Sequence, residues 1–224
     1  MYAKYLKRVI DFTVALGALL VLFLPLLIVT IIGFIKMKGN PFFTQPRPGK
    51  DEKVFRLIKF RSMTNAKGTD GELLSDEERL TGYGRFLRGS SIDELPELLN
   101  ILLGHMSFIG PRPLLVRDMV FMTSEQRKRH SVRPGLSGLA QVSGRNALEW
   151  ENKLALDLEY IKNISFKEDL RIIFTTIKIV VGRGESATEL DVTADYGDYL
   201  LEQGKVDSET YARKQEEAKE LLGV

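Results

Sequence analysis

The 224-residue sequence contains no cysteine and only two histidines, His105 and His130. The lack of cysteine excludes disulfide bonds, thiolate catalysis and zinc sites built from thiolates. Two histidines leave little material for acid–base catalysis or metal binding by imidazole. Any chemistry must therefore come from carboxylates, arginines and lysines.

An excess of one charge is also lacking, because 32 Lys and Arg face 30 Asp and Glu and give a net charge of only +2. This balance predicts no nucleic acid partner. The sequence has no internal repeat, no G-x-G-x-x-G pattern and no P-loop spacing, which argues against a Rossmann or Walker nucleotide site. With 44% hydrophobic and 28% charged residues, the chain can form one compact domain and an appendage.

A long apolar segment follows the N-terminus, with no charged residue at positions 12–35. At about 1.5 Å per helical residue, it could just cross a hydrocarbon core about 30 Å thick. A cleaved signal peptide is disfavoured, because the segment is longer than a signal h-region and no A-x-A-like cleavage site follows. A spanning helix and a re-entrant helix remain.

Pro25 and the flanking charges favour the re-entrant helix. Pro25 removes a backbone hydrogen bond near the middle of the segment, where we expect the helix to break. Lys7 and Arg8 precede the segment and Lys36 follows it, so the positive-inside rule is best satisfied with both ends in the cytoplasm. Asp11 is expected to pair with Lys7 or Arg8, or to face interfacial water.

Two extended stretches, 42–45 and 53–63, flank a turn-rich segment at 47–51 and predict a β-hairpin. Alternation along the second strand places Lys59 and Arg61 on one face. Two neighbouring cations can grip a phosphate. The alternative is that they pair with acids or simply reach solvent at the end of an amphipathic strand.

Further helices are predicted at 75–78, 95–103, 149–163, 166–181 and 207–222. The helix at 166–181 mixes apolar and basic residues, which is typical of a helix lying in a membrane interface, although a core helix is the alternative. From Glu185 onward the composition becomes acidic and polar.

The segment 91–96 places adjacent carboxylates, Asp93 and Glu94, at the entry to the apolar helix. One interpretation is structural, because Ser91 and Glu94 fit a capping box and acids are favoured in a first helical turn. Pro96 offers another, because proline prefers the first helical position and would leave the two acids exposed before the helix. An exposed acid pair at a helix start suits phosphate chemistry with a divalent ion.

Four segments resemble, in order, the signatures of the bacterial sugar transferases, the monotopic phosphoglycosyl transferases: 59–63 (KFRSM), 91–96 (SIDELP), 104–113 (GHMSFIGPRP) and 133–146 (RPGLSGLAQVSGRN). The resemblance runs from position 7 to about 181. Within the family, positions 7–11 and 71–74 look most like the branch that initiates bacterial N-glycosylation with UDP-N,N′-diacetylbacillosamine. His105, Ser137 and the tail after Gly184 depart from the family pattern.

The resemblance implies an α+β, mostly helical fold. It consists of a re-entrant membrane helix with its flanks at 1–38 and a small cytoplasmic catalytic domain at 39–184, with a β-hairpin and interfacial amphipathic helices. An acidic C-terminal tail with a helix at 185–224 would follow. The implied location is the cytoplasmic face of the bacterial inner membrane.

The implied reaction moves a sugar 1-phosphate from a UDP-sugar to undecaprenyl phosphate, with Mg²⁺ as cofactor, in the first membrane step of glycoconjugate assembly. By this resemblance Asp93 attacks the β-phosphate and forms a phosphosugar-aspartyl intermediate, and Asp93 and Glu94 bind the metal. The implied substrate-binding residues are Lys59, Arg61, Arg88, Arg112, Arg145 and Asn146. Other glycan-assembly enzymes or a second copy of the chain are further candidate partners.

A rival function is that of a non-enzymatic membrane anchor or a polyprenyl-phosphate-binding scaffold. Such a protein has no use for an acid pair beside several arginines, and release of UMP would distinguish the two. A polytopic lipid phosphotransferase is a weaker rival, because one apolar segment cannot build a multi-helix membrane core.

Overall fold

The computed structural model describes residues 1–144, 148–182 and 194–223. The strands are β1 (Phe42–Pro48), β2 (Val54–Phe60), β3 (Ser107–Ile109) and β4 (Gly135–Ser137). The helices are α1 (Lys7–Val21), α2 (Phe23–Lys36), α3 (Asp76–Arg79), α4 (Gly82–Gly89), α5 (Glu97–Leu103), α6 (Val116–Met119), α7 (Ser124–Arg127), α8 (Leu139–Ser143), α9 (Trp150–Lys162), α10 (Phe166–Gly182), α11 (Tyr196–Glu202) and α12 (Ser208–Leu222). The fold is mostly helical with two small sheets, so the predicted α+β class is confirmed.

The first two helices form a bent pair. α1 and α2 meet at Leu22, and the chain turns there by 66°. Pro25 lies in the first turn of α2, where it has no N–H to donate to Val21 and its ring would clash with that carbonyl in a straight helix. The predicted break is confirmed, three residues before the proline. In the described residues no single helix is long and apolar enough to cross a membrane, whereas this bent pair is by length and composition.

Both arms of the bent pair contact the same globular body. Ala15 of α1 is fully buried in the main core, which is formed with residues of β2, of α5 and of the segment just before β3: Phe55, Leu57, Leu98, Ile101 and Met106. On the other arm, the Tyr83 hydroxyl of α4 donates a hydrogen bond to the Val29 carbonyl of α2 at 3.0 Å. Between these contacts the apolar side chains around the bend, such as Val21 and Phe23, are 80% and 66% exposed.

The predicted hairpin is confirmed, with β1 and β2 antiparallel and Phe42 opposite Phe60. The far edge of β2 is bound by one side chain of α5. Asn100, which is 1% exposed, accepts a hydrogen bond from the Ile58 N–H at 3.0 Å and donates one to the Arg56 carbonyl at 2.8 Å. These bonds satisfy strand groups that no neighbouring strand pairs, and they fix the position of α5 on the hairpin.

A second sheet joins two distant family-like segments. β3 and β4 pair in parallel, with Ser107 opposite Gly135 and Ile109 opposite Ser137. The backbones approach so closely that a Cβ atom on Gly135 would overlap the backbone of Gly110. Only glycine therefore allows this contact.

The long C-terminal helices α9, α10 and α12 match the predicted ones within two residues. Ile172 of α10 is fully buried, whereas Phe174, Ile177 and Val181 are 62%, 52% and 80% exposed, so the helix has one core face and one exposed apolar face. α11, which the sequence did not predict, and α12 pack against α6, and Asp118 accepts a hydrogen bond from the Tyr196 N–H at 3.0 Å. The boundary predicted at residue 185 lies outside the described residues.

Candidate active site

The adjacent acids lie in a single 3₁₀ turn, Ile92–Glu94, just before α5. Ser91 has a left-handed conformation, with φ 56° and ψ 19°, and its side chain caps no N–H group. The capping-box interpretation is therefore wrong. α5 begins at Glu97, directly after Pro96, so the prediction that the acid pair precedes the helix is confirmed. The prediction that the two acids are exposed is wrong, because both are half-buried.

Lys59 links two carboxylates of this region. Its Nζ atom lies 2.7 Å from Glu94 Oε1 and 3.2 Å from Glu97 Oε1. Arg112 approaches the same Glu94 oxygen, with its Nη2 atom at 3.9 Å. Lys59 is thus paired with acids, which was the alternative that the sequence left open for it.

Burial changes the protonation of the acids. It raises the pKa of Asp93 to about 6, and the neighbouring Glu94 charge adds to the rise, while Lys59 and Arg88 partly offset it. Burial also raises the pKa of Glu97 despite its contact with Lys59. Burial tends to lower the pKa of Lys59, but the two glutamates outweigh this effect and its pKa is raised, so the lysine stays charged.

Two arginines are held near the acids by polar contacts. Arg88 Nε donates to the buried Ser62 Oγ at 3.0 Å, and the guanidinium lies close enough to Asp93 to offset part of the rise in the pKa of that carboxyl. Arg47 donates to the Pro113 carbonyl at 3.2 Å and to Gln45 Oε1 at 2.6 Å. In the part of the chain that the structure describes, its buried Nε–H has no partner.

A small pocket brings all four family-like segments together. Its lining residues are Arg47, Leu57, Lys59, Glu94, Glu97, Arg112, Pro113, Gly135 and Leu136. Burial lowers the pKa of Arg47 to about 10, and repulsion from Arg112 contributes. The pocket therefore combines crowded cations with carboxylates, an arrangement that can bind an anion and present a carboxylate to it.

The structure brings together five of the predicted site residues: Lys59, Arg88, Asp93, Glu94 and Arg112. Arg61 follows β2, and its backbone N–H donates to the Pro41 carbonyl at 2.7 Å. Arg145 and Asn146 lie outside the described residues. The roles assigned to all of these residues stay predictions.

Sequence reasoning missed Arg47, Ser62, Glu97 and Asn100. Glu97 could have been predicted from its spacing, because it follows Glu94 by three positions and therefore lies on the same side of a helical turn. Arg47 and Asn100 could not have been predicted in this way. Arg47 contacts Pro113 and Asn100 contacts β2, and both contacts join residues that are distant along the chain.

The site offers two carboxylates to a magnesium ion, although it lacks a larger cluster of metal ligands. The described residues contain no cluster of three or more acidic or histidine side chains with metal-binding geometry. Mg²⁺, however, is commonly bound by one or two carboxylates together with substrate phosphates. Asp93 and Glu94 supply two such carboxylates. Burial and then repulsion from Glu94 raise the pKa of Asp93, and a bound cation would offset that repulsion.

Fold and site together define an enzyme that handles anionic groups with carboxylates, lysine and arginine. A family model described as "Bacterial sugar transferase" matches residues 2–183. The chain belongs to this family, and the predicted enzyme class, a phosphoglycosyl transferase, is confirmed.

Three relatives illustrate the match. The chain is 46% identical to the uncharacterized sugar transferase EpsL of Bacillus subtilis over 193 residues, which cover 85% of this chain and 94% of EpsL. It is 38% identical over 182 residues to the UDP-glucose:undecaprenyl-phosphate glucose-1-phosphate transferase of Caulobacter vibrioides, covering 76% and 68% of the two chains. It is 32% identical over 198 residues to the undecaprenyl-phosphate galactose phosphotransferase of Salmonella typhimurium, covering 81% of this chain but 41% of the relative.

The shares covered differ among the relatives. The chain spans about two fifths of the Salmonella relative and of an uncharacterized sugar transferase of Haemophilus influenzae, which is 34% identical over 198 residues. The matched region, which contains the pocket residues, is therefore common to short and long relatives.

Proposed function

We propose that the protein transfers a sugar 1-phosphate from a UDP-sugar to undecaprenyl phosphate at the cytoplasmic face of a bacterial membrane. The observation that carries the proposal is Asp93, whose pKa is raised by burial and by Glu94 and which lies near Lys59 and Arg88. It stands beside the adjacent Glu94, which lines the small pocket together with Lys59 and Arg112. The Caulobacter and Salmonella relatives, whose names describe transfer of a sugar phosphate to undecaprenyl phosphate, support the choice of substrates.

In the first step a carboxylate oxygen of Asp93 attacks the β-phosphorus of the UDP-sugar. The bond between that phosphorus and the bridging oxygen breaks, and UMP leaves with the oxygen. Asp93 then carries the sugar phosphate as an acyl phosphate. Arg88 and Arg112, which lie near the acid pair, would bind the phosphate oxygens as negative charge moves to UMP.

In the second step an oxygen of undecaprenyl phosphate attacks the same phosphorus, and the bond to the Asp93 oxygen breaks. The product is undecaprenyl diphosphate with the sugar attached, and Asp93 is free again. Glu94, to which Lys59 donates a hydrogen bond at 2.7 Å, would accept the proton of an incoming monoprotonated phosphate. Magnesium, held by Asp93 and Glu94 with the substrate phosphates, would neutralise charge on the diphosphate.

The experiment that tests the proposal measures UMP release by the purified full-length protein with a panel of UDP-sugars. We expect release that requires undecaprenyl phosphate for continued turnover and that stops when a chelator removes magnesium. UDP-N,N′-diacetylbacillosamine or a related amino sugar is our proposed donor, and UDP-glucose and UDP-galactose are the competing donors. A chain that binds undecaprenyl phosphate but releases no UMP from any donor would be a scaffold.

We also propose that α1 and α2 form a re-entrant membrane helix. The support is that both arms contact one globular body while the bend between them exposes apolar side chains. Because the chain lacks cysteine, single cysteines at Lys4 and Lys36 can be labelled uniquely in intact membranes. We expect both positions to be accessible from the cytoplasmic side. Labelling from opposite sides would establish a spanning helix instead.

A further inference from the structure

A second cavity, of about 200 Å³, lies between the N-terminal segment and the β3–β4 sheet. We call it the basic cavity. Its lining includes five cationic side chains, from Lys4, Lys7, Arg8, Lys50 and Arg133. It shares no lining residue with the pocket near Asp93. Its volume is below the roughly 300 Å³ at which pockets for drug-sized ligands begin, so it suits a small group.

Positive charge in the basic cavity exceeds negative charge. Lys7 is paired with Asp169, and Asp11 is the acidic residue of the lining. Asp11 does not pair with Lys7 or Arg8 by a hydrogen bond, as one sequence interpretation expected, but accepts one from the Phe108 N–H at 3.3 Å. Lys4, Arg8, Lys50 and Arg133 therefore face a single further carboxylate.

Two of the arginine groups are fixed in place before any ligand binds. Arg8 donates to the Ile101 and Leu102 carbonyls at 2.6 and 2.8 Å, and Arg133 Nε donates to the Gly104 carbonyl at 2.7 Å. Carbonyl groups at the end of α5 thus hold two like charges close together. In the described part of the chain, the Nη groups of Arg133 have no hydrogen bond and remain for a ligand.

An unpartnered hydroxyl group completes the cavity. Ser107, which is 1% exposed, lines the basic cavity, and its Oγ atom has no hydrogen-bond partner within the described residues. A buried hydroxyl without a partner is costly, so a group that accepts a hydrogen bond from Ser107 would be stabilised in this cavity. A ligand that takes hydrogen bonds from hydroxyl, lysine and guanidinium groups together must be an oxyanion.

We propose that the basic cavity binds a phosphate group, with Lys4, Lys50 and Arg133 as its cations and Ser107 as a hydroxyl donor. The surroundings favour the headgroup of an anionic phospholipid. Lys4 is followed by exposed apolar side chains, with Tyr5 62%, Leu6 51% and Val9 60% exposed, as in a segment that meets a lipid surface. Inorganic phosphate could accept the same hydrogen bonds, so the experiment must distinguish it from a lipid headgroup.

The test uses the full-length Ala3→Cys protein in phosphatidylcholine nanodiscs, with or without phosphatidylglycerol. Ala3 lines the cavity, so an occupant should slow labelling of the new cysteine by the neutral reagent N-ethylmaleimide. Thr69→Cys, at an exposed loop position outside the cavity, controls for general effects of the lipid. A parallel series replaces the anionic lipid by inorganic phosphate at constant ionic strength.

We expect phosphatidylglycerol to slow labelling at position 3 and not at position 69. In the same background, Lys50→Gln should weaken this protection by roughly tenfold in lipid or phosphate concentration, the effect of one charge-assisted hydrogen bond. Lys53→Gln, an exposed lysine beside the same turn and outside the cavity, should not. Ser107→Ala should weaken protection without changing charge, and without lowering the melting temperature of the unliganded protein.

Protection by inorganic phosphate alone would identify the source as soluble phosphate and keep the site. Absence of protection by either probe would overturn the proposal, and so would protection that both Lys50→Gln and Ser107→Ala leave unchanged. UMP release takes no part in these measurements, so failure of the proposed transferase reaction would be seen separately.

Discussion

Two carboxylates, those of Asp169 and Asp93, differ in how completely they are satisfied. Asp169 of α10, which is 4% exposed, accepts hydrogen bonds from the Tyr2 hydroxyl, the Lys7 ammonium and the Tyr160 hydroxyl. These contacts join the N-terminal segment, α9 and α10, so the surroundings of Asp169 serve the fold.

Asp93, in contrast to Asp169, lies in surroundings that stabilise its ionised form poorly. The hydrogen bond that acts on its carboxyl comes from its own backbone N–H. Burial and the Glu94 charge raise its pKa to about 6. The comparison teaches that a buried acid with all its partners stabilises the structure, whereas an acid left short of partners keeps a lone pair available for attack.

The largest expected effect is on turnover. Asp93→Asn should lower the rate of UMP release by at least about 10³-fold while the protein stays folded and membrane-bound, because an amide keeps the shape but is a poor nucleophile. With a radiolabelled UDP-sugar, magnesium and no acceptor, wild type should retain labelled sugar phosphate on the protein and Asp93→Asn should not. Asp169→Asn is the matched control, and its folded fraction should still be labelled. Labelling of Asp93→Asn would refute the aspartyl intermediate.

Asp169→Asn should have the largest effect on stability. It removes the carboxylate that pairs with Lys7 and leaves a nearly buried ammonium group uncompensated, for which we expect a loss of about 3 kcal/mol in the free energy of unfolding. Denaturant titration of the purified protein measures it. Glu168→Gln, the neighbouring acid whose partner Arg171 lies largely exposed, should cost well under 1 kcal/mol. Equal losses in the two variants would contradict the structural role of Asp169.

The features that the sequence predicted are those encoded by neighbouring residues. Pro25 and the uncharged segment around it indicated the bend, and alternation with a turn indicated the hairpin. The acid pair before α5 was predicted because the preference of Pro96 for a helix start is local. The four family-like segments indicated the enzyme class, and the pocket brings these segments together.

The features that were missed depend on contacts between distant residues. β3 and β4 have three residues each, too few for any periodicity, and they pair only because glycines let two backbones approach. The binding of β2 by Asn100 likewise arises from packing, and so does the Nε–H of Arg47 that lacks a partner among the described residues. Neither the alternation of a strand nor the spacing of a helix reports which distant group a polar side chain will meet.

Asp93→Asn should also stabilise the protein, in contrast to Asp169→Asn. The folded-state pKa of Asp93, about 6, lies above its usual value of 3.8, so the folded state binds the proton more tightly between these values. The free energy of unfolding of the wild type should therefore fall as pH rises from 3.8 to about 6. Above this range the loss of stability is complete. Because the Asp93 carboxyl is partly exposed, we expect Asp93→Asn to raise the free energy of unfolding by only about 1 to 2 kcal/mol at pH 7.5. Near pH 3.5 we expect almost no change.

Denaturant titrations at the two pH values measure this gain. Glu77→Gln, which replaces an exposed acid of α3, controls for the loss of one negative charge and should change stability little at either pH. A loss of stability in Asp93→Asn at pH 7.5 would mean that its carboxylate is satisfied in the folded state, and it would remove the contrast with Asp169.

The smallest expected effect concerns the contact that holds Arg88 near Asp93. Because Asp93 must be ionised to attack, the rate of labelled-intermediate formation should fall as pH drops through about 6. Arg88 opposes the rise in the pKa of Asp93, and Ser62 Oγ holds Arg88 at 3.0 Å. Ser62→Ala should free the guanidinium and move the midpoint of the acid limb of this pH profile upward by a fraction of a pH unit.

The control is Ser90→Ala, which removes a hydroxyl bonded to the Phe86 carbonyl of the same helix and should leave the midpoint unchanged. A downward shift in Ser62→Ala, or equal shifts in the two variants, would show that Arg88 does not set the protonation of Asp93.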